Sequence, residues 1–133
     1  MTEVQIRTIQ AQIQASVNRK VDINNPSDCM HKLQEISTLL ASGSTCIAYS
    51  KNILLKARKE VLDKIYLSKE GDKELKKYLS PSIVNKFVET RTIEEETLFC
   101  ECERNYSAIV HCGDFLRSIL STLKQEMIIS ASM

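Results

Sequence analysis

Residues 25–68 read NPSDCMHKLQEISTLLASGSTCIAYSKNILLKARKEVLDKIYLS. Asn25 can cap a helix, Pro26 suits the first helical position, and Asp28 favours the positive end of the helix dipole. No further proline follows until Pro81. Leu33, Leu40, Ile47, Leu54 and Val61 recur every seven residues, and three residues beyond each stand Ile36, Gly43, Ser50, Ala57 and Lys64. Large side chains at one seam position and small ones at the other let a partner helix approach closely. The pattern predicts one helix over 26–68, about 60 Å long at 1.5 Å per residue. Gly43 in its middle costs about 1 kcal/mol against alanine, and close packing is the reason to keep it.

Beyond this stretch, Lys69-Glu70-Gly71-Asp72 reads as a helix stop and turn, and 73–79 as a short helical piece. Ser80-Pro81 is a second start signal. Leu98, Cys102, Asn105, Ile109, Cys112, Leu116, Ile119 and Leu123 then repeat a seam. They predict a second long helix over 82–127, frayed near Arg91-Thr92, with Ser130 to Met133 as a loose tail. Asn105 on that seam can fix helix register at some cost in stability. On the N-terminal side, Ile6, Ile9, Ile13 and Val17 draw one narrow apolar stripe on a polar, Gln-rich helix over 3–19. Val21 to Asn25 is a connector.

The fold class is therefore all-α: an elongated antiparallel helical hairpin with an additional N-terminal amphipathic helix, in a single domain over 1–133. Ile53, Leu55, Leu62, Ile65, Phe99, Phe115, Leu120 and Ile128 lie off the main seams. That surplus asks for a third layer: the N-terminal helix, further subunits, or both, and it makes a homo-oligomer the expectation.

Composition agrees. The 133 residues include only 3 Gly and 2 Pro, too few for a turn-rich β-sandwich or barrel. Eighteen basic residues against 17 acidic leave a net charge of +1, which excludes coating of nucleic acid by overall charge but not a local basic patch. Aromatics are 5% with no Trp, too few for an ordinary base-stacking surface. No run of about 18 apolar residues suits a membrane span. The N-terminus lacks a basic region followed by an apolar one, so no signal peptide is expected.

Chemistry-bearing motifs are sparse. Five cysteines (Cys29, Cys46, Cys100, Cys102, Cys112) are an odd number, and reduced thiols in a cytoplasmic protein are the reading. Cys100 and Cys102 on a helix point about 200° apart and cannot chelate one ion locally. Adding His111 and Cys112 does not produce a zinc-site spacing. His31 and His111 are the only histidines, and His111 diverges from its neighbour Cys112 by about 100°. No Gly-rich phosphate loop, HExxH or GxSxG motif occurs. The expectation is a non-enzymatic protein with no metal and no cofactor.

Charge is polarised locally. Residues 51–77 carry nine basic residues (Lys51, Lys56, Arg58, Lys59, Lys64, Lys69, Lys73, Lys76, Lys77) against five acidic, and 78–104 carry three basic against six acidic. The acidic run Glu94, Glu95, Glu96, Glu101 and Glu103 reads as a solvated helix face. The two stretches can neutralise each other by salt bridging, or the basic one can contact nucleic-acid phosphate.

Leu55-Lys56-Ala57-Arg58, late in a long helix and followed by a charged stretch with a Gly-Asp turn, resembles the UvsY-type phage recombination mediators. So do the order of parts, with a short amphipathic helix and the Val21-Asp22-Ile23-Asn24 connector before the long helix, and the chain length. The resemblance implies a phage- or prophage-encoded protein of the bacterial cytoplasm that oligomerises and binds single-stranded DNA. It would help a RecA-like recombinase displace single-strand-binding protein. By the match Lys56 and Arg58 contact DNA, and Lys51, Lys59 and Lys64 extend the basic stretch. Lys56 and Arg58 are two residues apart, so they face different sides: Arg58 one heptad after Lys51 beside the seam, Lys56 near Lys59 on the outer face. The competing reading is an oligomeric helical scaffold or adaptor acting only through protein–protein contacts.

Overall fold

The computed structural model describes residues 1–67 and 80–132. Four helices make up the described chain, with no strand among the described residues: α1 (Glu3–Asn18), α2 (Pro26–Leu67), α3 (Pro81–Arg91) and α4 (Ile93–Ser132). Their local causes are visible. Thr2 Oγ1 accepts from Gln5 N while Thr2 N donates to Gln5 Oε1, a reciprocal capping box. Asn25 Oδ1 accepts from Ser27 N and Asp28 N at 3.0 and 3.4 Å, capping α2 ahead of Pro26. Ser80 Oγ accepts from Ile83 N at the start of α3, with Pro81 just inside. The predicted stop at 69–72 and helical piece at 73–79 lie outside the described residues.

The helix expected over 82–127 is two helices. The chain breaks at Thr92, whose φ of −119° and ψ of 23° leave the helical region. Thr92 is fully buried, and its hydroxyl donates to the Val88 carbonyl at 2.8 Å. Its backbone N–H turns to Glu89 O, and its own carbonyl accepts from Glu96 N. Glu94, Glu95 and Glu96 then fill the first turn of α4, where the helix dipole favours acids. The second difference lies at the other end: α4 continues to Ser132, so Ser130 to Ser132 are helical where a loose tail was expected.

The chain forms two compact units. The first comprises Met1–Ile47 and Glu101–Met133. Its core joins Ile13, Cys29, Ile36, Ile109 and Leu116, flanked by half-buried Ile9, Val17, Leu33, Leu39, Leu40, Cys112, Ile119 and Leu120. A Cβ on Gly43 would lie 3.3 Å from both Ile13 Cδ1 and Tyr106 Cδ2, and one on Gly113 would lie 3.5 Å from Ile36 Cγ2. Seven residues back along α2 thus match seven forward along α4, so the two run antiparallel. Gly43 is where α1 and α4 both crowd α2.

The seam of α2 is displaced from the leucine series. Leu33, Leu40 and Ile47 are only half-buried, whereas Ile36, Gly43 and Cys46 are buried. Small side chains mark the closest approach, and the larger ones flank it. The seam of α4 follows its series closely: Cys102, Asn105, Ile109 and Leu116 are buried. In α1, Ile6 and Ile13 are buried as the stripe predicts, but Gln10 is buried between them. Asn105 Nδ2 donates to Gln10 Oε1 at 2.8 Å, so both seam amides sit inside the unit.

The second unit is Ala48–Cys100. Ser50, Leu54, Val84, Val88, Thr92 and Leu98 are its buried residues among those described. Leu55, Tyr66, Ile83, Phe87 and Ile93 remain exposed.

Candidate nucleic-acid interface

All five cations singled out from the sequence lie on the part of α2 that belongs to the second unit. At about 100° per residue, Lys56 and Lys59 share the outer face, opposite buried Leu54. Lys51 stands on one flank and Lys64 on the other. These four lysines are exposed. Among the described residues none of them has an ion-pair partner.

Arg58 behaves differently. It lies on the seam side, and its Nη2 is 3.7 Å from Glu96 Oε2. Its side chain is 34% exposed and its Nε is buried without a hydrogen-bond partner. The guanidinium is therefore committed to the packing between α2 and the first turn of α4. The Leu-Lys-Ala-Arg motif is split: Lys56 faces solvent and Arg58 faces the acidic run. Sequence spacing foretold the divergence but not the particular carboxylate.

The remaining chemistry-bearing residues do not converge. Among the described residues no group of three or more His, Cys, Asp or Glu side chains is placed to hold a metal ion. Cys100 is exposed, Cys102 buried and Cys112 half-buried, and none of the five cysteines is in a disulfide. Burial pushes the Cys29 thiol up, assisted by Asp28 and Asp22. Burial also raises Cys46, opposed by the polar amide of Gln10, whose Nε2 has no partner within hydrogen-bond distance. Neither thiol is thereby activated as a nucleophile. A pocket of about 280 Å³ in the second unit is lined by Val61, Lys64, Ile65, Phe87 and Arg91, with no carboxylate, thiol or imidazole among its described lining residues. Arg91 lies over the Phe87 ring, 5.0 Å from its centroid.

One buried charge escaped the sequence reading. Lys32 is 2% exposed, its Nζ donates to the Ser16 carbonyl near the end of α1, and Glu35 lies 4.0 Å away. Burial lowers its pKa, with Arg19 adding to the effect and Glu35 opposing it. Arg19 also pairs with Glu35, so this cluster closes the connector between α1 and α2. It is a polar cluster around buried Lys32 within the first unit.

The described fold is thus all-α, and the candidate site is a row of lysines on one long helix, unpaired among the described residues. No helix among the described residues is long and apolar enough to cross a membrane. Comparisons with family models, curated proteins and solved structures give no match to this chain.

Proposed function

We propose that the chain is a non-enzymatic, single-stranded-DNA-binding protein of the recombination-mediator kind. The observation that carries the reading is the charge accounting on α2. If the basic stretch existed to neutralise the acidic one, its cations would be paired. Among the described residues Glu96 takes only Arg58, and Lys51, Lys56, Lys59 and Lys64 stay exposed and unpaired. Four like charges along one helix repel one another, and a polyanion relieves that repulsion. The described stretch 49–66 carries five cations against Glu60 and Asp63.

The Leu55-Lys56-Ala57-Arg58 resemblance supplies the biological setting: a phage or prophage protein in the cytoplasm of its bacterial host, acting beside a RecA-like recombinase and single-strand-binding protein. Self-association belongs to the same proposal. It is supported by the exposed Leu55, Ile83, Phe87 and Ile93 of the second unit, and by Phe115, Met127, Ile128 and Ile129 of α4. Repetition of one lysine row in several subunits raises avidity for a continuous strand.

The test is binding of a labelled single strand at two salt concentrations, with a duplex of the same sequence as competitor. The proposal predicts binding that weakens steeply with salt and a single strand that outcompetes the duplex. An absence of binding at low salt leaves the scaffold reading.

A further inference from the structure

We infer that Tyr49 and Tyr66 are base-stacking residues on the lysine face, so that a single strand is held there by its bases as well as its phosphates. The inference rests on the single-strand reading above. The chain has few aromatic residues, but two of its four tyrosines stand among the exposed lysines. Tyr49 is seven residues before Lys56 and Tyr66 seven after Lys59. Each pair therefore lies on nearly one line along the helix, about 10 Å apart. Tyr49 is 43% exposed and Tyr66 is 55% exposed. By contrast, Tyr106 is half-buried against the Gly43 crossing.

Asn52 lies between the two lines on the same outer face and is exposed, offering an amide to base edges or phosphate. Asp63 extends the Tyr49–Lys56 line, where its carboxylate repels phosphate. The cationic part of the face therefore lies around Lys56 and Lys59, with one ring toward each end. Exposed rings flanking a row of cations on a single element suit a strand whose bases are unpaired, because every base has a face to stack and every link a phosphate. A duplex hides its bases and gains only the phosphate contacts.

The test compares a thymidine homopolymer with an abasic sugar-phosphate strand of equal length. The proteins are wild type, Tyr49→Leu, Tyr66→Leu and the corresponding Phe variants. Because there is no Trp, intrinsic emission comes from the tyrosines and reports stacking directly. Each Leu variant should weaken binding of the thymidine strand about five-fold or more, the low end for removal of one stack. It should leave affinity for the abasic strand and the salt slope unchanged, and should reduce the quenching on binding. Each Phe variant should restore affinity, since the ring and not the hydroxyl stacks. Leu variants that bind both strands like wild type, or that weaken on both equally, overturn the stacking role. Wild type binding the two strands equally also overturns it and leaves the phosphate contacts standing. Wild type binding neither strand at low salt overturns the single-strand reading and this inference together.

Discussion

The two ends of α2 live in different surroundings. In the first unit, α1 and α4 both crowd the helix at Gly43, and the pair Gln10–Asn105 is buried beside them. In the second unit, the described neighbours are the short α3 and the first turns of α4, and Leu55, Tyr66 and four lysines face outward. One helix thus carries a glycine crossing at one end and an exposed lysine face at the other. The sequence marks the change: small residues, Gly43 and Cys46, give way to the lysine-rich stretch from Lys51. Where a third helix covers α2, its cost in lost conformational freedom is offset by burial.

The largest effect that can break this contrast comes from the core. Ile13→Ala or Ile109→Ala should cost about 2–5 kcal/mol in urea unfolding, because both side chains are fully buried. Leu55→Ala should change stability by about 0.5 kcal/mol or less, because that leucine is half exposed. Equal destabilisation at Ile13 and Leu55 would erase the difference between the two surroundings.

Much of this was legible in the sequence. The start of α2 at Asn25-Pro26, the close approach at Gly43, and the α4 seam through Cys102, Ile109 and Leu116 all follow from spacing and caps. The break at Thr92 was only half legible. A Thr followed by Ile and three Glu is a helix-start signal in its own right, but the apolar periodicity continues on the far side and masks it. Gln10 and Lys32 were not legible. A polar residue on an apolar stripe reads as solvent-facing until a partner from a distant helix, Asn105, or a helix-end carbonyl, Ser16, is brought beside it. In the candidate site, spacing separates Lys56 from Arg58. Only tertiary packing says that Glu96 takes the arginine and that Tyr49 and Tyr66 stay outside.

Asn105→Ala is the next largest perturbation. It leaves Gln10 Oε1 buried without its donor and should cost about 1–3 kcal/mol. The double replacement Gln10→Leu with Asn105→Leu should recover most of that cost, since it removes both polar groups together. Calorimetric melting of the two variants checks this. Recovery with a changed oligomer size would show that the amide pair also fixes register.

Lys32 gives the contrast a pH dependence. Its folded pKa is lowered by burial, so the unfolded chain binds more protons and stability rises with pH. The rise spans the window from the folded value up to the unfolded lysine value of about 10.4. The raised thiols Cys29 and Cys46 act oppositely: their stabilisation is present below the unfolded thiol value and is lost as pH rises through the folded value. Lys32→Met removes the rising component. Ser16 O keeps the Arg19 N–H as a partner at 3.3 Å, so the variant should be at least as stable as wild type at neutral pH. Its advantage should shrink toward about pH 10, near the unfolded lysine value. An advantage that stays constant with pH would mean that Lys32 is not penalised by its burial.

The smallest effect on stability, and the most direct test of the account, is at the split motif. Arg58→Ala removes a partly exposed ion pair and should lower stability by less than about 1 kcal/mol. The decisive measurement is the slope of log affinity for single-stranded DNA against log salt, in wild type, Lys56→Ala and Arg58→Ala. If the lysine row holds the strand, the slope is shallower by about 0.7 for Lys56→Ala, because one phosphate is no longer neutralised, and unchanged for Arg58→Ala. A shallower slope for Arg58→Ala with none for Lys56→Ala, or no measurable binding by wild type at low salt, would contradict the account.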